Sequence, residues 1–155
     1  MESISSKRPI RLSKSCIGED EKRAVMGVLD REFLGSGAEV KQFEILLSEF
    51  FGRPAVCVSN GTAALHLALQ AAGIGPGDEV ITTPMSWIST LHAIHAVGAT
   101  PIFVDIKDDL NMNEDLIEKS ITKKTKVILP VHFTGAMCNM KIVMDLAKKH
   151  NLYVV

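Results

Sequence analysis

Residues 55–83, AVCVSNGTAALHLALQAAGIGPGDEVITT, decide the fold of this chain. The stretch opens with a short apolar run, Ala55 to Val58, which predicts a strand, and continues from Gly61 to Ala72 with an Ala- and Leu-rich segment typical of a helix. The breaker residues 73–78 then end the helix and turn the chain into a second strand-like run, Glu79 to Thr83. This order of strand, helix, turn and strand predicts the beginning of an α/β layer.

The same alternation continues along the rest of the chain. Further helices are predicted at 86–97, from the Asn111 cap to Ile121, and at 139–150, and further strands at 100–105, 126–133 and 152–155. Asn111 and Glu114 have the spacing of a capping box, which predicts the start of the helix that ends at Ile121. Five short apolar strands alternating with helices, without two-residue hairpin turns, predict an α/β fold with a mainly parallel sheet and helices on both faces.

The first 52 residues have a different pattern. Two amphipathic helices, Gly18 to Leu29 and Glu39 to Phe51, are predicted on either side of a glycine-containing loop, Phe33 to Gly37. We therefore expect an N-terminal helical arm over 1–52 and the α/β domain over 53–155. Because Val155 ends an apolar strand, and functional loops follow the carboxyl ends of parallel strands, we expect the domain to be truncated there.

Composition excludes several classes of partner. The chain has 17 Lys and Arg against 18 Asp and Glu, a net charge of -1, so no basic face is expected for nucleic acid or for an anionic membrane. Its longest apolar runs fall far short of the roughly 20 residues of a spanning helix, and the polar N-terminus lacks a signal-peptide core. We expect a cytoplasmic protein. Cys16, Cys57 and Cys138 are an odd number at wide spacing and are expected to be free thiols.

The segment between the first strand and its helix is a candidate phosphate cradle. A helix N-terminus there would offer unpaired N–H groups, Gly61 would let a ligand approach the backbone, and Thr62 would add a hydroxyl donor. The alternative is that Ser59 or Asn60 simply caps the helix.

Other candidates follow the later strands. Trp87, the only tryptophan, comes after the second strand and could stack on a planar ring, although an ordinary core or rim tryptophan is an alternative. His132 ends the fourth strand and could line a site there or be a structural histidine. His92 and His95 have ligand-compatible spacing but no evident third donor, so we expect no metal site.

Several motifs together resemble the DegT-type sugar aminotransferases, which are pyridoxal-phosphate enzymes of the aspartate-aminotransferase fold. The resemblance covers about residues 9–155, and the motifs are Phe43-Glu44, Ser59-Asn60-Gly61-Thr62-Ala63-Ala64-Leu65, Gly75-Pro76-Gly77-Asp78-Glu79-Val80-Ile81, Gly98-Ala99-Thr100-Pro101-Ile102-Phe103-Val104-Asp105 and Pro130-Val131-His132. It implies that the chain is the N-terminal part of such an enzyme, with the first portion of its large, fold-type I domain.

The resemblance also implies site residues and partners. Gly61, Thr62 and Ala63 would hold the phosphate of pyridoxal 5'-phosphate, Trp87 would stack on its pyridine ring, and Gly35, Ser36 and Gly37 would lie near the sugar substrate. The Schiff-base lysine and the aspartate that pairs with the pyridinium would follow Val155, so no catalytic residue is expected within the chain. A homodimer is implied, with an amino acid, glutamate in much of the family, as amino donor and a nucleotide-linked keto sugar as acceptor.

Two other functions stay open. A related dehydratase shares this fold and cofactor but carries a histidine in place of the Schiff-base lysine. A non-catalytic module that binds pyridoxal phosphate or a sugar nucleotide, or a truncated remnant, would use the same pocket without turnover. A Rossmann-type nucleotide domain is disfavoured, because Gly73 to Gly77 follows a helix and precedes a strand, the reverse of that fingerprint.

Overall fold

The computed structural model describes residues 13–155, which fall into two compact units divided after Cys57. The described part of the first unit holds two helices, α1 (Glu19–Asp30) and α2 (Ala38–Phe51). These bounds lie within one residue of those predicted. The Glu21 carboxylate accepts the Gly18 N–H at 2.7 Å at the start of α1, and Gly52 ends α2 in the left-handed conformation, with φ of 63°.

The run from Ala55 to Val58 is not a strand, contrary to the prediction. Two of its backbone N–H groups are bound to side chains of α2: Ala55 N donates to Ser48 Oγ at 2.9 Å, and Cys57 N donates to Glu44 Oε1 at 2.7 Å. These acceptors replace the ladder hydrogen bonds that a neighbouring strand would provide.

The second unit is an α/β layer. In chain order it contains α3 (Gly61–Ala71), β1 (Glu79–Thr82), α4 (Ser89–Ala96), β2 (Thr100–Phe103), α5 (Glu114–Ile117), a 3₁₀ turn (Glu118–Ser120), β3 (Thr125–Ile128), a second 3₁₀ turn (Phe133–Gly135), α6 (Met140–His150) and β4 (Tyr153–Val154). The four strands form one sheet in the order β2-β1-β3-β4, and every pairing is parallel. The predicted fold class is confirmed, with four strands in place of five.

Alternate residues of the central strands pack on opposite faces of the sheet. Val80 and Val127 belong to one apolar cluster, with Leu69 of α3 and Ile94 of α4. Burying each such side chain contributes about 1.5–3 kcal/mol.

The second cluster covers the other face of the sheet. There Ile81 and Ile128 pack against Ile117 of α5 and against Val143 and Ala147 of α6. Both faces of the sheet are therefore covered by helices, as the run of consecutive apolar residues in each strand predicts.

One glycine is required by its surroundings. Gly98, between α4 and β2, has a φ of +78°, and a Cβ built there would lie 2.9 Å from Cγ of Pro76. Only glycine fits this position, where the turn before β2 packs on the turn before β1.

Candidate functional site

The first turn of α3 lies at the edge of the sheet where the strands end. Residues 72–78 join the end of α3 to the start of β1, so the helix and the strand run in opposite directions while Leu69 and Val80 pack in one cluster. The N-terminus of α3 is consequently near the carboxyl end of β1. This is the edge at which open parallel sheets bind their ligands.

Donors of this first turn are available to a ligand. Asn60 caps the helix, since its Oδ1 accepts the Ala63 N–H at 2.9 Å. Among residues 13–155, the N–H groups of Gly61 and Thr62 and the Thr62 hydroxyl have no hydrogen-bond partner, and a Cβ at Gly61 would meet no atom within 4 Å. The Asn60 cap uses the Ala63 N–H and leaves those of Gly61 and Thr62 without a partner in this part of the chain, so a cap does not exclude a cradle.

His66 adds a feature that the sequence analysis missed. It lies four residues after Thr62, hence on the same side of α3, and its Nε2 is buried without a partner in the described part of the chain. A buried polar atom without a partner costs about 1–3 kcal/mol. The only signal in the sequence is a single histidine in an otherwise Ala- and Leu-rich helix.

Trp87 is held on an ordered loop between β1 and α4. At the end of β1, Thr82 Oγ1 donates to Leu129 O at 2.9 Å. Across the start of α4, the Ser86 and Thr90 hydroxyls are 2.6 Å apart. The Trp87 side chain itself is 78% exposed. Its ring is therefore accessible to a planar ligand.

The loop after β3 carries His132. The His132 side chain is exposed, and its Nδ1 accepts the Cys138 N–H at 3.2 Å. Asn111 is fully buried beneath the loop, and its Oδ1 accepts the Phe133 N–H at 3.0 Å. The Cys138 thiol donates to Val131 O at 3.2 Å, and burial raises the pKa of this thiol.

Glu114 does not form a capping box with Asn111, contrary to the prediction. Asn113 caps α5, its side chain accepting the Asp115 N–H, while the Glu114 carboxylate accepts the Asn139 N–H at 2.9 Å and lies 2.7 Å from Lys107 Nζ. Burial acts to raise the pKa of Glu114, but the hydrogen bonds from Lys107 and Asn139 outweigh it and hold the pKa below its usual value. The hydrogen bond to Glu114 raises the pKa of Lys107.

The predicted substrate loop belongs to the first unit. A cavity of about 400 Å³ adjoins it, lined by Val28, Arg31, Phe33, Leu34, Gly35, Gly37, Ala38, Glu39 and Val40. A Cβ at Gly37 would lie 3.0 Å from Cε1 of Phe33, so the aromatic ring packs directly on the loop backbone. The Ser36 side chain lies beside a second cavity, which Glu44 also lines.

In residues 13–155, no three or more His, Cys, Asp or Glu side chains are grouped to hold a metal ion. No helix within that range combines the length and apolar character needed to cross a membrane.

Comparisons with known proteins give a consistent result. Residues 15–155 match the DegT/DnrJ/EryC1/StrS aminotransferase family. The spore coat polysaccharide biosynthesis protein SpsC of Bacillus subtilis is 44% identical over 141 residues, which are 90% of this chain and 36% of SpsC.

Solved structures agree with the sequence match. NtdA from Bacillus subtilis with the bound cofactor PMP superposes with a TM-score of 0.83 at 38% identity, over 88% of this chain and 32% of NtdA. Helicobacter pylori PseC, an aminotransferase involved in the biosynthesis of pseudoaminic acid, gives a TM-score of 0.85 at 34% identity, over 93% of this chain and 40% of PseC. The chain thus spans little more than a third of the length of these relatives.

Proposed function

Because the chain belongs to the DegT/DnrJ/EryC1/StrS aminotransferase family, whose cofactor is pyridoxal 5'-phosphate, we propose that the protein aminates a keto sugar carried by a nucleotide. An amino acid, glutamate in the first instance, is the proposed amino donor. The observation that carries the proposal is the first turn of α3 at the carboxyl edge of the sheet, where the N–H groups of Gly61 and Thr62 and the Thr62 hydroxyl have no hydrogen-bond partner among residues 13–155, and where a Cβ at Gly61 would meet no atom within 4 Å.

These groups suit the cofactor phosphate. N–H groups at a helix N-terminus and the positive end of the helix dipole favour a dianion, and the Thr62 hydroxyl supplies a further donor. The Ala63 N–H already donates to Asn60. We therefore propose that Ala63 contacts the phosphate without donating its N–H to it. Trp87 is proposed to stack on the pyridine ring, for which its 78% exposure leaves room.

The bound cofactor supplies an electron sink for amino-group transfer, while the amine that attaches to it must come from a lysine. No lysine of this chain has the family's sequence context, so we place that lysine, and the aspartate that pairs with the pyridinium, outside the 155 residues. The chain alone is then inactive. We further propose that residues 1–52 are the arm and that residues 53–155 are the first part of the cofactor-binding domain.

We further propose a homodimer in the cytoplasm. The first unit exposes large apolar side chains such as Phe43, Phe50 and Phe51, which the rest of the polypeptide or a second subunit would cover. Cys16, Cys57 and Cys138 are free, which fits a reducing compartment.

The experiment uses the intact protein purified from its source cell. It is incubated with pyridoxal phosphate, glutamate and a panel of nucleotide-linked 3-keto and 4-keto hexoses, and amino sugars are measured by mass spectrometry. Formation of an amino sugar with an equal amount of 2-oxoglutarate supports the proposal. A deoxy sugar in its place indicates a dehydratase, and cofactor binding without any product indicates a non-catalytic module.

A further inference from the structure

Residues 133–139, the second part of the loop between β3 and α6, are held at both ends by two buried side chains, Asn111 from the loop after β2 and Glu114 from α5. The first 3₁₀ residue, Phe133, donates its N–H to Asn111 Oδ1 at 3.0 Å, and Asn139, the cap of α6, donates its N–H to Glu114 Oε1 at 2.9 Å. Asn111 is 0% exposed and Glu114 is 5% exposed. The seven residues 133–139 are therefore anchored at their first and last N–H groups.

Burying a polar side chain at either of these positions costs free energy. Within residues 13–155, the Asn111 Nδ2 group is buried without a partner, and Glu114 needs Lys107 to balance its charge. An apolar side chain at either position would leave a loop N–H group unpaired, so the polar pair has a specific task in orienting this loop. Thr134, with φ of 52°, lies between the anchors in the left-handed conformation, which is strained for a β-branched residue.

The anchored loop determines the protonation pattern of the His132 ring. A backbone N–H is always a donor, so the Cys138 N–H, 3.2 Å from His132 Nδ1, requires that nitrogen to be unprotonated. The neutral ring then carries its hydrogen on Nε2. Cys138 is itself held beside Asn111, since its thiol lies 3.6 Å from Asn111 Oδ1.

We propose that Asn111 and Glu114 are positioning residues that hold the 133–139 loop so that His132 presents an Nε2–H donor at the carboxyl edge of the sheet. That donor suits a carbonyl or hydroxyl oxygen of a bound sugar or amino acid. This last step rests on the proposed function, whereas the orientation of the His132 ring does not.

The first test reads the tautomer directly in the intact protein. The five histidines are labelled with ¹⁵N, long-range ¹H–¹⁵N spectra are recorded at mildly alkaline pH, and His132→Gln identifies its signals. We expect an unprotonated Nδ1 and a single Nε2–H tautomer. An Nδ1–H tautomer, or a mixture of both, in the unaltered protein would overturn the proposal without any variant having to fold.

Variants then test the anchors. Asn111→Ala removes the acceptor and is expected to make the Nδ1–H tautomer detectable, whereas Asn111→Asp retains an acceptor for Phe133 and is expected to keep the single tautomer. Thr125→Val, at the opposite edge of the sheet, controls for general loss of stability. A single unchanged tautomer in folded Asn111→Ala would contradict the assignment of Asn111.

A double-mutant cycle links the anchor to turnover. Asn111→Ala is expected to lower kcat/KM for the sugar roughly 10- to 100-fold, and to cause no further loss in a His132→Gln background, because it acts through that ring. Losses that multiply would show that Asn111 acts independently of His132 and would overturn the proposal. Absence of turnover in the unaltered protein would instead refute the proposed function, and the tautomer measurement would still decide the positioning.

Discussion

Replacing Thr62 by valine tests the phosphate cradle without altering its shape. The Thr62 hydroxyl has no hydrogen-bond partner among residues 13–155, and threonine and valine have similar helix propensities, so the free energy of unfolding is expected to change by less than about 0.5 kcal/mol. A hydrogen bond to a charged phosphate contributes about 1.5–3 kcal/mol. At about 1.4 kcal/mol per factor of ten, the affinity for pyridoxal phosphate is expected to fall roughly 10- to 150-fold.

The assay separates the phosphate contact from other effects. Cofactor-free protein is titrated with pyridoxal phosphate and, in parallel, with pyridoxal, which lacks the phosphate, and binding is followed by absorbance. We expect Thr62→Val to weaken the first ligand and to leave the second unchanged. Equal affinity of the variant and the unaltered protein for pyridoxal phosphate would refute the cradle, and so would an equal loss for both ligands.

Thr125→Val is the matched control. Thr125 starts β3 at the opposite edge of the sheet, is 4% exposed, and its hydroxyl accepts the Thr122 N–H at 2.9 Å and lies 3.3 Å from Glu79 Oε2. The same substitution there is expected to lower the free energy of unfolding by about 1 kcal/mol and to leave both affinities unchanged. Thr62→Val is thus expected to weaken the binding of pyridoxal phosphate without loss of stability, and Thr125→Val to lower stability without weakening binding.

Three further variants address the ring stack, a required glycine and a buried carboxylate. Trp87→Ala is expected to weaken pyridoxal and pyridoxal phosphate alike, roughly 3- to 10-fold, with Trp87→Phe near the unaltered protein in the same titration; unchanged affinity of the alanine variant would contradict the stack. Gly98→Ala is expected to lower the free energy of unfolding in urea by about 2–4 kcal/mol, since a Cβ at φ +78° would lie 2.9 Å from Pro76; a loss below about 0.5 kcal/mol would show that the turn adapts. Glu114→Gln is expected to be less stable than the unaltered protein at pH 7 by about 1–2 kcal/mol, and urea titrations from pH 7 to pH 3 should show this difference disappearing. Because the folded pKa of Glu114 is below its usual 4.5, the contribution of the ionised carboxylate to stability is complete above pH 4.5 and is lost as the pH falls through the folded pKa. A difference in the free energy of unfolding that does not change with pH would refute the ion pair with Lys107.

The sequence predicts the helices well because their signals are local. The ends of α1, α2 and α6 lie within one residue of the prediction, since Gly18, Gly52 and Asn139 mark them and the apolar spacing spans each helix. The α/β class is predicted from strand-like and helix-like segments that alternate along the chain, and each of these segments is also a local signal.

Features that depend on distant partners could not be predicted. Ala55 to Val58 has the composition of a strand, but α2 side chains 7 and 13 residues away accept the N–H groups of Ala55 and Cys57. Asn111 and Glu114 have the spacing of a capping box, yet their acceptor atoms bind N–H groups 22 and 25 residues further along the chain. Nothing near these residues in the sequence indicates such partners.

The candidate site shows the same division. A glycine and a threonine at the start of a helix after an apolar run predict the cradle, and their N–H groups have no partner within residues 13–155. His66 and the anchors beneath His132 become visible only in the folded chain, because burial and missing partners are properties of packing.

The half-reaction with the amino donor tests the central claim most directly. The intact protein from its source cell is loaded with pyridoxal phosphate, mixed with glutamate alone, and assayed for 2-oxoglutarate and for the pyridoxamine form of the cofactor. We predict one equivalent of each per site, with both reduced in Thr62→Val at a limiting cofactor concentration. A protein that binds the cofactor but yields neither product with glutamate or any other amino acid would contradict its assignment as an aminotransferase.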